Sequence, residues 1–171
     1  MQKLYSELIG MPVLTEYSAA PIALIKDIII DPENGKILAF CVKNNRIVAP
    51  LDIEAINTNL FVADRDRIVP INEILRAETV SKMDICVIGA RVLTERGKKC
   101  IGRVVDYSID AKHMILSSIY CAKSFFFFRL DERIISYKNI VKISKNIVII
   151  KDSTEFLATE KVSAREGVFA S

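Results

Sequence analysis

One feature restricts the fold of this chain more than any other: it repeats itself. Ile9, Gly10, Val13, Leu14, Thr15, Glu16, Ile22, Asp27, Ile30 and Asp31 recur as Ile88, Gly89, Val92, Leu93, Thr94, Glu95, Ile101, Asp106, Ile109 and Asp110, at a constant offset of 79 residues. Ten identities within 23 aligned positions are far above chance. A second block, running from Ile53 to Val62, faces one running from Ile140 to Ile149 at an offset of 87. The eight residues by which the offsets differ are an insertion in the second copy, around Phe125, Phe126, Phe127 and Phe128. A unit that occurs twice in register has to close the same small core twice. The 171 residues therefore divide into a first unit at 1–80 with a linker at its end, a second at 81–152, and a polar tail at 153–171.

Each unit reads as short strands. Residues 13–16, 25–30, 37–42, 46–49 and 60–63 are β-branched or aromatic runs separated by turn chemistry. The clearest turn is Asp31-Pro32-Glu33-Asn34-Gly35. There Pro fixes an early φ, Gly supplies a left-handed residue, and the Asp31 carboxylate can accept turn N–H bonds. Strands so short and so numerous cannot bury both faces of a flat sheet, and curling into a small barrel is the economical solution. The expected fold is thus mainly β, two tandem small antiparallel β-barrels with short helical turns. Those turns are predicted at residues 51–56 and 137–143, and a helix at 72–77 within the linker at 71–83.

Composition narrows the chemistry. The chain is 51% hydrophobic and 26% charged, with five Pro, six Gly and a mean hydropathy of +0.28, which describes a folded, core-rich protein. A lone histidine, His113, argues against a Ser-His-Asp hydrolase and against a His-based metal site. Cys41, Cys86, Cys100 and Cys121 contain no C-x-x-C pair, and the expectation for them is free, mostly buried thiols in a reducing compartment. Residues 1–10 lack the basic and apolar segments of a signal peptide, and no apolar run approaches the roughly 18 residues of a membrane helix. A cytoplasmic protein without an integral membrane segment is expected.

The repeated carboxylates Asp27/Asp106 and Asp31/Asp110 are candidates for acid-base work or for a hard cation, as are Asp64 and Asp66. Their placement along strands and at turns favours structural capping. No catalytic, cofactor or metal set assembles, and the expectation is a protein that is not an enzyme and carries no cofactor.

Two features point outward. In a strand, consecutive side chains face opposite ways, so Phe125, Phe126, Phe127 and Phe128 demand cover on both faces, from the other unit, a second copy or a partner. Charge is also divided unevenly. Residues 1–80 hold 8 Lys and Arg against 11 Asp and Glu, a net of −3, whereas residues 81–171 hold 16 against 10, a net of +6. In the basic unit Arg91, Arg96, Lys98, Lys99 and Arg103 cluster along one hairpin, followed by Lys138, Lys142, Lys145 and Lys151. Such a face suits an acidic protein, RNA phosphates or anionic lipid, unless the acidic unit docks on it or the charges are merely solvated.

Taken together, Gly10 and Val13, the strand ending at Asp27 and Asp31, the run 37–42 and Pro50-Leu51-Asp52-Ile53 leading to 60–62 resemble the PRC-barrel family. Gly89, Val92, Gly97, Gly102, Asp106, Asp110 and Tyr137-Lys138-Asn139-Ile140 leading to 147–149 resemble it again. Ala23 stands in the first copy where the second has Gly102. The resemblance implies a binding or adaptor module, of the kind found in the photosynthetic reaction centre and in ribosome maturation factors, and brings no catalytic residue set. The expectation is a cytoplasmic adaptor with an unidentified protein partner, the phenylalanine hairpin being a candidate homodimer surface. RNA or ribosome-precursor binding through the basic unit is the alternative.

Overall fold

In the computed structural model, residues 1–125, 128–154 and 157–158 are described, with side chains for 1–123 and 132–154. The fold is mainly β. Strand β1 (Gln2–Leu4) and a one-turn helix α1 (Tyr5–Leu8) lead into β2 (Pro12–Thr15), β3 (Ala23–Leu24), β4 (Asp27–Ile30), β5 (Ile37–Cys41), β6 (Arg46–Val48), β7 (Ile53–Ile56), β8 (Leu60–Val62) and β9 (Ile68–Pro70). Helix α2 (Leu75–Lys82) follows. Then come β10 (Arg91–Thr94), the long strands β11 (Cys100–Asp110), β12 (Ile115–Phe125) and β13 (Phe128–Ser136), and finally β14 (Ile140–Ser144), β15 (Ile147–Ile150) and β16 (Leu157–Ala158).

Strand order recurs between the halves. The first half pairs β3-β2-β8-β7 in one sheet and β4-β5-β6-β9 in another; the second half pairs β14-β15-β10-β11-β12-β13-β16 in a single sheet. Position by position, β11 does in one strand what β3 and β4 do in two. The predicted antiparallel barrels are corrected in two respects. Both halves contain a parallel pair, Val13 beside Leu60 and Val92 beside Val148, because the β7–β8 and β14–β15 hairpins return their second strands alongside β2 and β10. Among the described residues neither half closes into a barrel. Between β6 and β7 the chain passes through a 3-10 turn at Pro50–Asp52, where Pro cannot donate to a ladder, and it leaves one sheet for the other. Residues 53–56 and 140–143, expected as helical turns, are strands. Only Pro50–Asp52 and Tyr137–Asn139 turn, and the isoleucines after them pair with β8 and β15.

The main core is shared. Leu8, Val13, Ile28, Phe40 and Leu60 from the first half pack in one cluster with Val92, Tyr107, Ile109, Ile119 and Val148 from the second. The halves are also joined by backbone. Ile37 N–H donates to Met114 C=O and Leu116 N–H donates to Gly35 C=O, both at 2.8 Å. At the offset of 79, residues 35 and 37 correspond to 114 and 116, so these bonds are reciprocal and a local two-fold relates the two hairpins. Gly35, at φ 71°, lies so close to Tyr137 that a Cβ there would come within 2.6 Å of the ring. Strand β1 crosses over as well, pairing Gln2, Lys3 and Leu4 with Asp110, Ile109 and Ser108.

A second cluster explains the run Ile28-Ile29-Ile30. Ile28 and Ile30 face the main core, while Ile29, Ala39 and Ile47 form the opposite face and are covered by Ile71, Ala77 and Val80. Helix α2 is that cover, and it lies further along the chain than the predicted 72–77 because Pro70 and a 3-10 turn at Ile71–Glu73 come first.

Candidate functional site

The cationic hairpin is built by β10 and β11. Thr94 N–H donates to Lys99 C=O at 3.0 Å, Lys99 N–H donates to the Thr94 hydroxyl at 3.0 Å, and Lys98 takes the left-handed turn position at φ 49°. The turn is tied to the end of the unit: Glu95 N–H donates to Ile150 C=O at 2.9 Å, and Arg96 N–H reaches the Asp152 carboxylate at 3.2 and 3.3 Å. A hairpin anchored by backbone leaves its side chains outward, and Arg91, Arg96, Lys98, Lys99 and Arg103 are all exposed. Arg103 donates to Gly89 C=O at 2.9 Å and so lies along the strand. None of the five forms an ion pair among the described residues. Among the described residues the acidic unit supplies no ion-pair partner to this hairpin.

At the same positions the first half carries Pro12, Tyr17, Ala19, Ala20 and Leu24, five uncharged residues in place of five cations. The scaffold recurs and its surface does not. Of the later lysines, Lys145 pairs with Asp84 at 2.6 Å and Lys151 donates to Lys138 C=O at 2.7 Å, whereas Lys142 stays exposed. The sequence brings these lysines together with the hairpin cations as one basic region; the structure engages two of them locally.

The carboxylates act as structural caps. Asp31 is buried and accepts from Glu33 N–H at 3.0 Å and from the Asn34 amide at 3.3 Å, as the turn predicts. Its main partner comes from 45 residues away. The Arg76 guanidinium on α2 forks onto both carboxylate oxygens at 2.7 and 3.0 Å and also meets Glu33 at 3.0 Å. The Arg76 hydrogen bonds hold Asp31 below the usual carboxylate range against the opposing effect of burial. Asp110, its counterpart, is held low by His113, 2.6 Å away, and by Lys112 N–H. Asp27 accepts from Ile28 N–H at 2.8 Å and from the Tyr5 hydroxyl at 3.3 Å; Asp106 accepts from Tyr107 N–H at 2.8 Å and the Ser6 hydroxyl at 2.6 Å. Of these four contacts, the one between Ser6 and Asp106 joins the two halves. Burial, reinforced by the Asp27 charge, pushes the Tyr5 phenol up to about 12. Nothing in the sequence pattern signalled that residues 2–8 would stitch the seam.

The cysteines differ from expectation. Cys121 is buried and Cys41 half-buried, but Cys86 and Cys100 are exposed. Cys100 opens β11, and Cys86 lies in the loop between α2 and β10. Burial pushes the Cys41 thiol up to about 11. Among the described residues no group of three or more His, Cys, Asp or Glu is placed to hold a metal ion, and no helix is long and apolar enough to cross a membrane.

Phe125 and Phe128 are paired across β12 and β13 by backbone. Phe126 and Phe127, and the side chains of all four, lie outside the described residues.

No curated protein matches the chain. Residues 1–83, which hold the two four-stranded sheets and α2, match the PRC-barrel domain. By that match, residues 1–83 carry a PRC-barrel domain.

Proposed function

We propose that the protein is a non-enzymatic cytoplasmic adaptor in which a second, diverged PRC-type unit follows the first, and in which the β10–β11 hairpin docks an acidic protein partner. The observation that carries this reading is the replacement of five uncharged residues in the first unit by Arg91, Arg96, Lys98, Lys99 and Arg103 at corresponding, exposed positions. The recurrence of strand order supports a second unit. A scaffold used twice, with charge placed on one copy, separates holding the fold from meeting a partner, and a cluster of outward cations steers and orients an acidic surface.

Capture from native lysate by the full chain, with and without nuclease, tests the assignment. The expected result is a protein partner that survives nuclease, is retained by the wild type and is lost from the Lys98→Glu, Lys99→Glu, Arg103→Glu variant at an unchanged melting temperature. Recovery that vanishes with nuclease and falls steeply with salt would replace this reading by RNA binding. Capture indifferent to the charge reversal would overturn it.

A further inference from the structure

The two halves differ most where the eight-residue insertion lies. In the second half, β11 has β10 on one side and β12 on the other, with Arg103 beside Ala122 and Val104 beside Cys121. Gly102 permits this approach, since a Cβ there would come within 2.5 Å of the Ala122 carbonyl oxygen. In the first half the corresponding residue is Ala23, and β3 pairs with β2 alone. The strand that should lie on its other side stops short. After Cys41, Val42 N–H bonds back to Arg46 C=O, and Asn44 and Asn45, at φ 62° and 56°, close β5–β6 in a tight turn. The insertion of the second half extends that hairpin; its absence here leaves a gap.

The gap is an open groove of about 410 Å³, within the size range of ligand sites. One wall is the β3 edge with Ala23 and Leu24, and Val42 and Ile68 supply further apolar surface. Lys43, Arg46 and Arg65 line it against one carboxylate, Asp66. Neither Lys43 nor Arg65 has an ion-pair partner among the described residues. Arg46 is held toward the groove by its bonds to Ile68 C=O.

We propose that this groove binds an extended acidic segment of a partner protein, added as a strand on the edge of β3 at the place that β12 occupies beside β11 in the second half. An unpaired strand edge supplies main-chain donors and acceptors, apolar residues receive alternate side chains, and three cations against one carboxylate select acidic neighbours. This rests on the reading of the protein as a protein-binding module, and it places a second surface on the opposite unit from the basic hairpin.

The test is selection of a display library of random ten-residue peptides on the immobilised full chain, followed by affinity measurement on synthetic copies of the winners. The expected winners are enriched in Asp and Glu relative to the input and alternate them with apolar residues. Their affinity falls by about tenfold or more in the Lys43→Glu, Arg65→Glu variant but not in the Lys98→Glu, Lys99→Glu, Arg103→Glu variant, which isolates the groove from the hairpin. N-methylation of alternate peptide residues abolishes binding in one frame and not in the other, because only one edge of an added strand faces β3. Recovery of no peptide, winners without acidic enrichment, binding that survives the groove variant, or equal sensitivity in both methylation frames would each overturn the proposal.

Discussion

At the scale of residues, the pair Asp31 and Arg76 makes the sharpest energetic prediction. Asp31 is 4% exposed, while the arginine that satisfies it remains 37% exposed at its side chain. Removing the guanidinium strands a buried carboxylate, yet solvent reaches the arginine side of the pair, so Arg76→Ala is expected to lower the urea midpoint of unfolding measurably without abolishing folding. The pH dependence has a fixed sign. The folded carboxyl is held below its unfolded value of roughly 3.9, so this stability is present above about pH 4 and is lost as pH falls through the lower, folded value. The difference between wild type and Arg76→Ala therefore closes in acid; a gap that stayed constant to pH 2 would contradict the pairing. Gly102 makes a steric prediction. Gly102→Ala drives a Cβ to 2.5 Å from a backbone oxygen that cannot swing aside, at an expected cost of about 1–3 kcal/mol. The turn at residues 31–35 could be read from sequence because its chemistry is local. The Asp31–Arg76 fork could not, because no pattern links positions 45 residues apart.

Elements were legible to the extent that local pattern decides them. Runs such as 37–41 and 60–62 are strands whatever surrounds them, since β-branched and aromatic side chains at alternating depth fit a pleated sheet. Residues 53–56 were misread because a proline-led turn precedes them and hides the strand that follows. Pairing β8 parallel to β2 was invisible for a different reason: parallel partners are set by where a later hairpin lands, not by the strand's own residues. The candidate site shows the same division. The cations of the basic hairpin are plain in the sequence, while the groove beside β3 depends on a missing extension that shows only when the halves are compared in space. Helix α2 carries the prediction at this scale. Its Ala77, wholly buried, seals Ile29, Ala39 and Ile47, so Ala77→Asp places a charge on an apolar face. A loss of about 2–4 kcal/mol is expected, together with binding of a hydrophobic dye as that sheet face opens. An unchanged melting temperature would mean that α2 does not cover the sheet.

For the whole molecule, repetition has produced one body. Reciprocal bonds between the hairpins, a strand that crosses from one end of the chain to the other half, and a core drawn from both halves make each half a poor unit by itself. That matters for the proposed function: an adaptor could present the basic hairpin and the groove beside β3 in a fixed relation only if the units do not move apart. The most direct measurement is native-state hydrogen exchange read at Ile37 and Leu116, whose amides donate across the local two-fold, alongside urea unfolding followed by circular dichroism. A single cooperative unfolding transition is predicted, with both amides exchanging only through it and at the same free energy. Two separate transitions, or exchange at Ile37 and Leu116 well ahead of the cores, would show that the halves fold independently and would contradict the account.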